Sequence, residues 1–201
     1  MREARTCQEL LCDTCARMRS AAVDIAAGRG IGAATEEAIV RGARITREEA
    51  RRHYPSADDC LADAYEEGFE RLVEASLPAL TGDGSWQERL LAAGNAAIVA
   101  FAEQPQLARF CVVEAWRVEM PALSERRMAV RERFVSILAD HRRPNVEEEA
   151  LPELRFEIFA GATRYAIDEE LQDPACSTHS LQARFSELVR VFEPAPAASA
   201  A

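Results

Sequence analysis

The 201-residue chain contains no lysine, so arginine supplies all 24 of its basic side chains. That bias fits GC-rich coding and points to no particular chemistry. Aromatics are scarce at 6%. No run of eighteen apolar residues occurs, which excludes a membrane-spanning helix by sequence. The first residues, MREARTCQELLCDTC, carry charge throughout and lack the unbroken apolar core of a secretory signal, so the expected location is cytoplasmic. In that compartment the six cysteines (Cys7, Cys12, Cys15, Cys60, Cys111 and Cys176) are expected to be thiols. Alternating strand patterns, a nucleophile motif, a glycine-rich phosphate loop and a His-x-x-x-His pair are all missing. The chain therefore reads as all-α and not as an enzyme.

What is present is charge unevenly spread. The net charge is −10, which argues against a general nucleic-acid coat. Residues 1–60, however, hold 10 arginines against 10 acidic residues, and the remainder 14 against 24. Between Arg41 and Arg52 five arginines face two glutamates. A small basic patch on an acidic body suits a protein that touches DNA with one face.

That patch lies in Thr35–Leu61, the stretch with the clearest local grammar. Thr35 followed by Glu36 and Glu37 is a helix start, with a capping hydroxyl and then carboxylates at the positive end of the helix dipole. Ile39, Val40 and Ala43 give an apolar side, Gly42 interrupts it, and Ile45 pins a turn before Thr46 caps a second helix. Over Arg47–Tyr54, Ala50 and Tyr54 face inward while Arg47, Arg51 and Arg52 face out, until Pro55 stops the helix. A first helix over 14–27 carries Met18, Ala21, Ala22 and Ile25 at helical spacing. Together these predict a three-helix, helix-turn-helix head over 14–60 behind a polar extension over 1–13.

The rest reads as a helical body over 61–193 and a low-complexity tail over 194–201. Ser56 caps a long linking helix that runs to about Ala79, and Trp86–Ala102 forms the next. Leu107–Met120 is the most apolar segment and is expected to be helical and buried, followed by a helix over Leu123–His141. Helices over Pro152–Leu171 and Thr178–Phe192 end the body. In the first of these, Leu154, Ile158, Ala162 and Tyr165 form one stripe while Phe156 and Phe159 lie off it. In the second, Leu181, Phe185, Leu188 and Phe192 form a stripe. Two apolar faces on terminal helices imply one against the body and one against a partner subunit.

The residues 18–61 resemble the head of the TetR-type transcriptional regulators without a gap. Ala21, Ala22 and Gly30 sit where that family's first helix and its terminating glycine belong, Thr35 leads the second helix, and Ala43, Ile45 and Thr46 form the turn. His53-Tyr54-Pro55-Ser56 is similar to the ending of its recognition helix. The resemblance implies a homodimer with a four-helix interface, a body that binds a small-molecule effector, and two heads on a palindromic operator in double-stranded DNA. Its implied function is a ligand-responsive repressor, released from the operator by a small hydrophobic molecule. The alternative is a similar helical ligand- or metal-sensing protein whose head has lost sequence-specific DNA binding.

Three positions depart from the family's pattern. Arg44 stands where the turn has glycine, so either a non-glycine residue is left-handed, at a cost of about 1 kcal/mol, or Gly42 shifts the turn. Arg51 stands for a tyrosine, and Ala57 for a lysine that would meet phosphate.

The candidate DNA contacts are Thr35, Arg44, Thr46, Arg47, Glu48, Arg51, Arg52, His53 and Tyr54. Hydroxyls at helix N-termini anchor phosphate, and arginine forks read guanine. For Thr35 and Thr46 plain capping is an equally open role, and Glu48 and Glu49 alternatively pair with Arg51 and Arg52 across one turn. The candidate ligand pocket is Trp86, Phe101, Phe110, Glu114, Trp116, Arg117, Met120 and Phe134, with Glu114 and Arg117 either a polar anchor or an exposed i,i+3 ion pair. The candidate dimer interface is Phe156, Phe159, Leu181, Phe185, Leu188 and Phe192. Cys12-x-x-Cys15, with Cys7 nearby, has metal or redox spacing, but no second pair follows at finger spacing. Unlinked thiols and no metal or cofactor are expected.

Overall fold

A computed structural model describes residues 12–142, 153–173 and 175–192. The expected tail over 194–201 and nearly all of the extension over 1–13 lie outside these residues. Every regular element among the described residues is helical: α1 (Asp13–Arg29), α2 (Glu36–Ala43), α3 (Arg47–His53), α4 (Ala57–Leu80), α5 (Trp86–Ala102), α6 (Pro105–Val112), α7 (Pro121–His141), α8 (Glu153–Gln172) and α9 (Thr178–Phe192), with 3-10 turns at Ile31–Ala33 and Glu114–Trp116.

The chain divides into two compact units. Among the described residues, one holds those up to Phe69 together with Pro105–Ala129, and the other holds Glu70–Gln104 and those from Val130 onward. In the first unit α1 packs on α2, α3 and α6 around Met18, Ala22, Ala26, Ile39, Leu61 and Phe110, all buried. Helix ends here are satisfied by side chains. Thr35 and Thr46 accept from the backbone N–H groups of Ala38 and Glu49 at 3.3 and 3.1 Å. Asp58 accepts from Ala122 N and Leu123 N at 2.8 and 3.0 Å, capping the start of α7.

The expected helix through Leu107–Met120 is interrupted. It stops at Val112, and Glu114–Trp116 forms a 3-10 turn. Glu114, 2% exposed, accepts from Arg109 at 3.4 Å and forms an ion pair with Arg117 at 3.4 Å, and Trp116 Nε1 donates to Cys111 O at 3.1 Å. A buried carboxylate must be met by cations, and the tighter turn presents Glu114 to both arginines.

The second unit is built on phenylalanines. Phe156, Phe159, Phe185 and Phe192 join Leu80, Leu90, Ile98, Val135 and Leu138 in one buried cluster. The Phe159 and Phe192 ring centroids are 4.5 Å apart. Gly94 of α5 lets α9 approach: a Cβ there would lie 1.9 Å from Phe185 Cε1. Ser85 and Glu88 form a full capping box at the start of α5, and both hydrogen bonds from Ser85, through backbone and then side chain, hold the Glu88 carboxyl below its usual range. Arg89, 7% exposed, donates to Leu80 O at 2.7 Å and His141 O at 3.2 Å, gathering the C-terminal carbonyls of α4 and α7.

Candidate functional site

The turn between α2 and α3 resolves the first departure. Arg44 is left-handed, at φ 57° and ψ 48°, and its N–H closes the α2 terminus on Arg41 O. Gly42 stays inside α2, where a Cβ would come within 3.0 Å of the Ala21 Cβ. The glycine therefore serves the close contact of α2 with α1, and the arginine takes the turn.

From that turn α3 presents Arg47, Arg51 and Arg52 outward, with side chains 57%, 61% and 69% exposed. Arg52 pairs with Glu48 one turn away. Arg47 and Arg51 both turn to Glu36 of α2, with their Nε atoms 3.6 and 3.1 Å from the same Oε1. Glu49 instead accepts from Thr14 of α1 at 3.1 Å. Thus the expected one-turn pairing holds for Arg52, while Arg51 is held from the neighbouring helix.

Two of the candidate DNA residues point elsewhere. Tyr54 is 6% exposed, and its hydroxyl accepts from Arg19 Nη1 at 3.0 Å. Arg19 itself is buried and donates from Nε to Glu67 at 2.6 Å. Burial pushes the Tyr54 phenol well above its usual range, with Arg19 opposing. Tyr54 is thus a strut of the head's interior, not a surface contact. His53 is half-buried, and its Nδ1 lies 3.6 Å from Cys12 Sγ and 3.4 Å from Cys15 Sγ. Sequence reasoning did not join His53 to the Cys-x-x-Cys pair because some forty residues separate them. Cys7 lies outside the described residues.

In the second unit a cleft partly open to solvent lies among α4, α5, α7, α8 and α9. Of the eight expected pocket residues, Phe101 and Phe134 line it. Trp86 packs against the adjoining core without reaching the cleft. Phe110, Glu114, Trp116, Arg117 and Met120 belong to the other compact unit. Phe110 is fully buried there, Glu114 is the hub of the ion pairs above, and Trp116, 38% exposed, lies under the Arg127 guanidinium at 4.9 Å. The expectation followed local apolar density, which in this segment packs a core.

The cleft's lining includes Leu72, Leu77, Ala97, Ile98, Ile137 and Ile167, and no charged residue. Its polar groups are two hydroxyls. Ser76 donates to Leu72 O at 2.7 Å. Thr163 Oγ1 is buried with no hydrogen-bond partner among the described residues.

The expected dimer residues pack within the unit itself. Phe156, Phe159, Phe185 and Phe192 are 1–9% exposed within the unit's own core, and Leu181 and Leu188 pack against it. The stripe left uncovered is the other one: Leu154, Ile158 and Tyr165 are 62%, 60% and 56% exposed, and Val191 82%.

No family model matches the chain, and no curated protein matches it in sequence. Solved structures do match in three dimensions. The fatty acid degradation regulator FadR from Bacillus halodurans aligns with a TM-score of 0.71 at 14% identity, over 90% of this chain and 99% of that one. A TetR-like transcriptional regulator from Rhodococcus sp. RHA1 aligns at 0.66 with 20% identity, over 89% and 95%. FadR from Bacillus subtilis, solved in complex with stearoyl-CoA, aligns at 0.70 with 14% identity, over 90% and 99%. No helix among the described residues is long and apolar enough to cross a membrane. The chain has the fold of the TetR-family transcriptional regulators.

Proposed function

We propose that the protein is a ligand-responsive, homodimeric DNA-binding regulator of the TetR type that acts as a repressor. The observation that carries this reading is α3: a helix capped by Thr46 after a left-handed turn, with Arg47, Arg51 and Arg52 exposed along it. An outward helix of this kind enters a major groove, where arginine forks bond guanine and the capped N-termini meet phosphate. Two such heads on a palindromic operator need their recognition helices about 34–36 Å apart.

The uncovered stripe of Leu154, Ile158 and Tyr165 on α8, with Val191 on α9, supports a self-complementary interface built on those two helices. The effector is a predominantly apolar molecule. A cleft lined by apolar side chains and by no charged residue favours a long hydrocarbon whose polar end stays in solvent. FadR from Bacillus subtilis, the fold neighbour solved with stearoyl-CoA, makes long-chain acyl compounds the first probes. A ligand that prefers one state of the body lowers DNA affinity by that preference.

The test is a gel shift of the purified protein on the DNA upstream of its own gene, with and without a long-chain acyl-CoA. Retarded DNA that Arg47→Ala/Arg51→Ala abolishes while acyl-CoA binding persists supports the reading, and no retardation by the wild type at low salt overturns it. A second reading is a ligand-sensing protein whose head does not read DNA. It is favoured by Glu36, which holds Arg47 and Arg51 together, and it stands if the acyl compound binds and the DNA does not.

A further inference from the structure

The Cys-x-x-Cys pair at the start of α1 and the last residue of α3 converge on one point. Cys12 is the N-cap of α1 and Cys15 lies in its first turn, so a spacing of three brings both sulfurs to one face. His53 closes α3, and the donor atoms of all three lie within 4.8 Å of one another. We propose that Cys12, Cys15 and His53 form a binding site for a thiophilic divalent cation of the zinc class.

The two sulfur-to-nitrogen separations fit a tetrahedral site. Zinc bonds of about 2.3 Å to sulfur and about 2.0–2.1 Å to imidazole nitrogen, at tetrahedral angles, place each sulfur about 3.6 Å from the nitrogen. The two observed separations are 3.6 and 3.4 Å. A thiol–imidazole hydrogen bond spans a similar distance, but one ring nitrogen serves one thiol hydrogen at a time, whereas a cation is shared by all three donors. The donor set selects the ion: two thiolates and one imidazole suit zinc, and exclude magnesium or calcium, which take oxygen. Binding replaces two thiol protons, which leave to the buffer, so the ion and its two thiolates are together neutral. Three protein ligands leave a fourth position for water.

The backbone that carries His53 is anchored on both sides. Ala50 is 2% exposed one turn before it, and Tyr54 immediately after it is fixed by Arg19. Thr14, between the two cysteines, ties α1 to Glu49 of α3. A bound ion therefore staples the start of α1 to the end of the arginine-bearing helix. This inference goes beyond the proposed function and needs no DNA partner.

The experiment uses the full chain, reduced and stripped of metal by a chelator, and titrates it anaerobically with cobalt(II) and then zinc(II). The expected result is one cobalt per chain, with a sulfur-to-cobalt charge-transfer band and tetrahedral d–d bands that one equivalent of zinc removes. Cys12→Ser, Cys15→Ser and His53→Gln each weaken binding by at least about tenfold, since even outer-shell changes cost that much. Zinc also slows amide exchange at residues 51–54 in the wild type and leaves the double variant Cys12→Ser/Cys15→Ser unchanged. A wild type without the sulfur-to-cobalt band overturns the site whatever the variants do, and so does a band that survives in the double variant with its helical circular dichroism intact. None of these readouts involves DNA, so their failure is distinct from failure to bind an operator.

Discussion

The guanidinium of Arg19 in α1 donates to the hydroxyl of Tyr54 at the end of α3, at 3.0 Å and out of solvent. Its Nε reaches Glu67 of α4, so a single buried arginine joins three helices of the first unit. A buried cation is tolerated only when its donors are answered. Tyr54→Phe leaves Arg19 with one acceptor fewer and is expected to cost about 1.5–3 kcal/mol, as for a hydrogen bond to a charged group. Urea unfolding followed by circular dichroism measures it. A loss below about half a kcal/mol would show that the hydroxyl does not hold the arginine.

Packing in the second unit gives a sharper steric prediction. The Phe185 ring lies where a side chain on Gly94 would have to be, and Phe185 is itself 6% exposed within the phenylalanine cluster. Gly94→Ala ordinarily favours a helix by up to about 1 kcal/mol, but here overpacking outweighs it. A net destabilisation of about 1–3 kcal/mol is expected from thermal unfolding, and Phe185→Leu in the same chain restores part of it.

These two sites show which parts of the structure local sequence carries. Helix starts at Thr35, Thr46, Ser56 and Ser85 are written in capping chemistry, and the ends of α5 and α9 fall where periodicity places them. Which apolar face meets which neighbour is not local. The stripe of Leu154, Ile158 and Tyr165 and the set of Phe156 and Phe159 are equally apolar on the page, and only the folded unit shows that the phenylalanines are buried inside it. The convergence of His53 on Cys12 and Cys15 is hidden for the same reason, because it depends on how α3 lies across α1.

Cysteine reactivity follows burial. Cys60 is fully buried, and burial pushes its thiol up to about 12. Cys111 is raised further in the same direction, by burial first and then by Glu67. A thiol whose pKa lies well above the pH supplies little thiolate, the reactive form. At pH 8 in the native protein both are expected to resist iodoacetamide, and both are expected to react once denaturant unfolds the chain. Peptide mass spectrometry after timed quenching reads the difference, and labelling of Cys60 at the native-state rate of an ordinary exposed thiol would contradict it.

Glu36 occupies the arginines that a phosphate or guanine would need. Its Oε1 is 3.1 Å from Arg51 Nε and 3.6 Å from Arg47 Nε, on an exposed surface where such pairs are weak. Glu36→Gln removes the competing charge and one repulsion toward DNA, so affinity for any duplex at low salt is expected to rise about three- to tenfold, with the gain shrinking as salt is added. Fluorescence anisotropy on operator and scrambled duplexes checks it. A gain confined to one sequence would mean that Glu36 takes part in reading bases.

Thr163 separates the role of the cleft from that of the core. Its hydroxyl is buried on the cleft wall and makes no hydrogen bond among the described residues. Thr163→Val keeps the shape and removes the orphan, so the ligand-free variant is expected to gain up to about 1 kcal/mol, or about 2–4 °C in Tm for a chain of this size. Ligands then divide by chemistry. A pure hydrocarbon probe binds the variant at least as well as the wild type, because its fit depends on apolar surface alone. A ligand whose polar atom meets the hydroxyl loses about tenfold, the equivalent of one hydrogen bond. Titrating both ligand types against both proteins shows whether Thr163 orients the occupant. Equal affinities throughout, with the stability gain present, would leave it a tolerated flaw in the cleft wall.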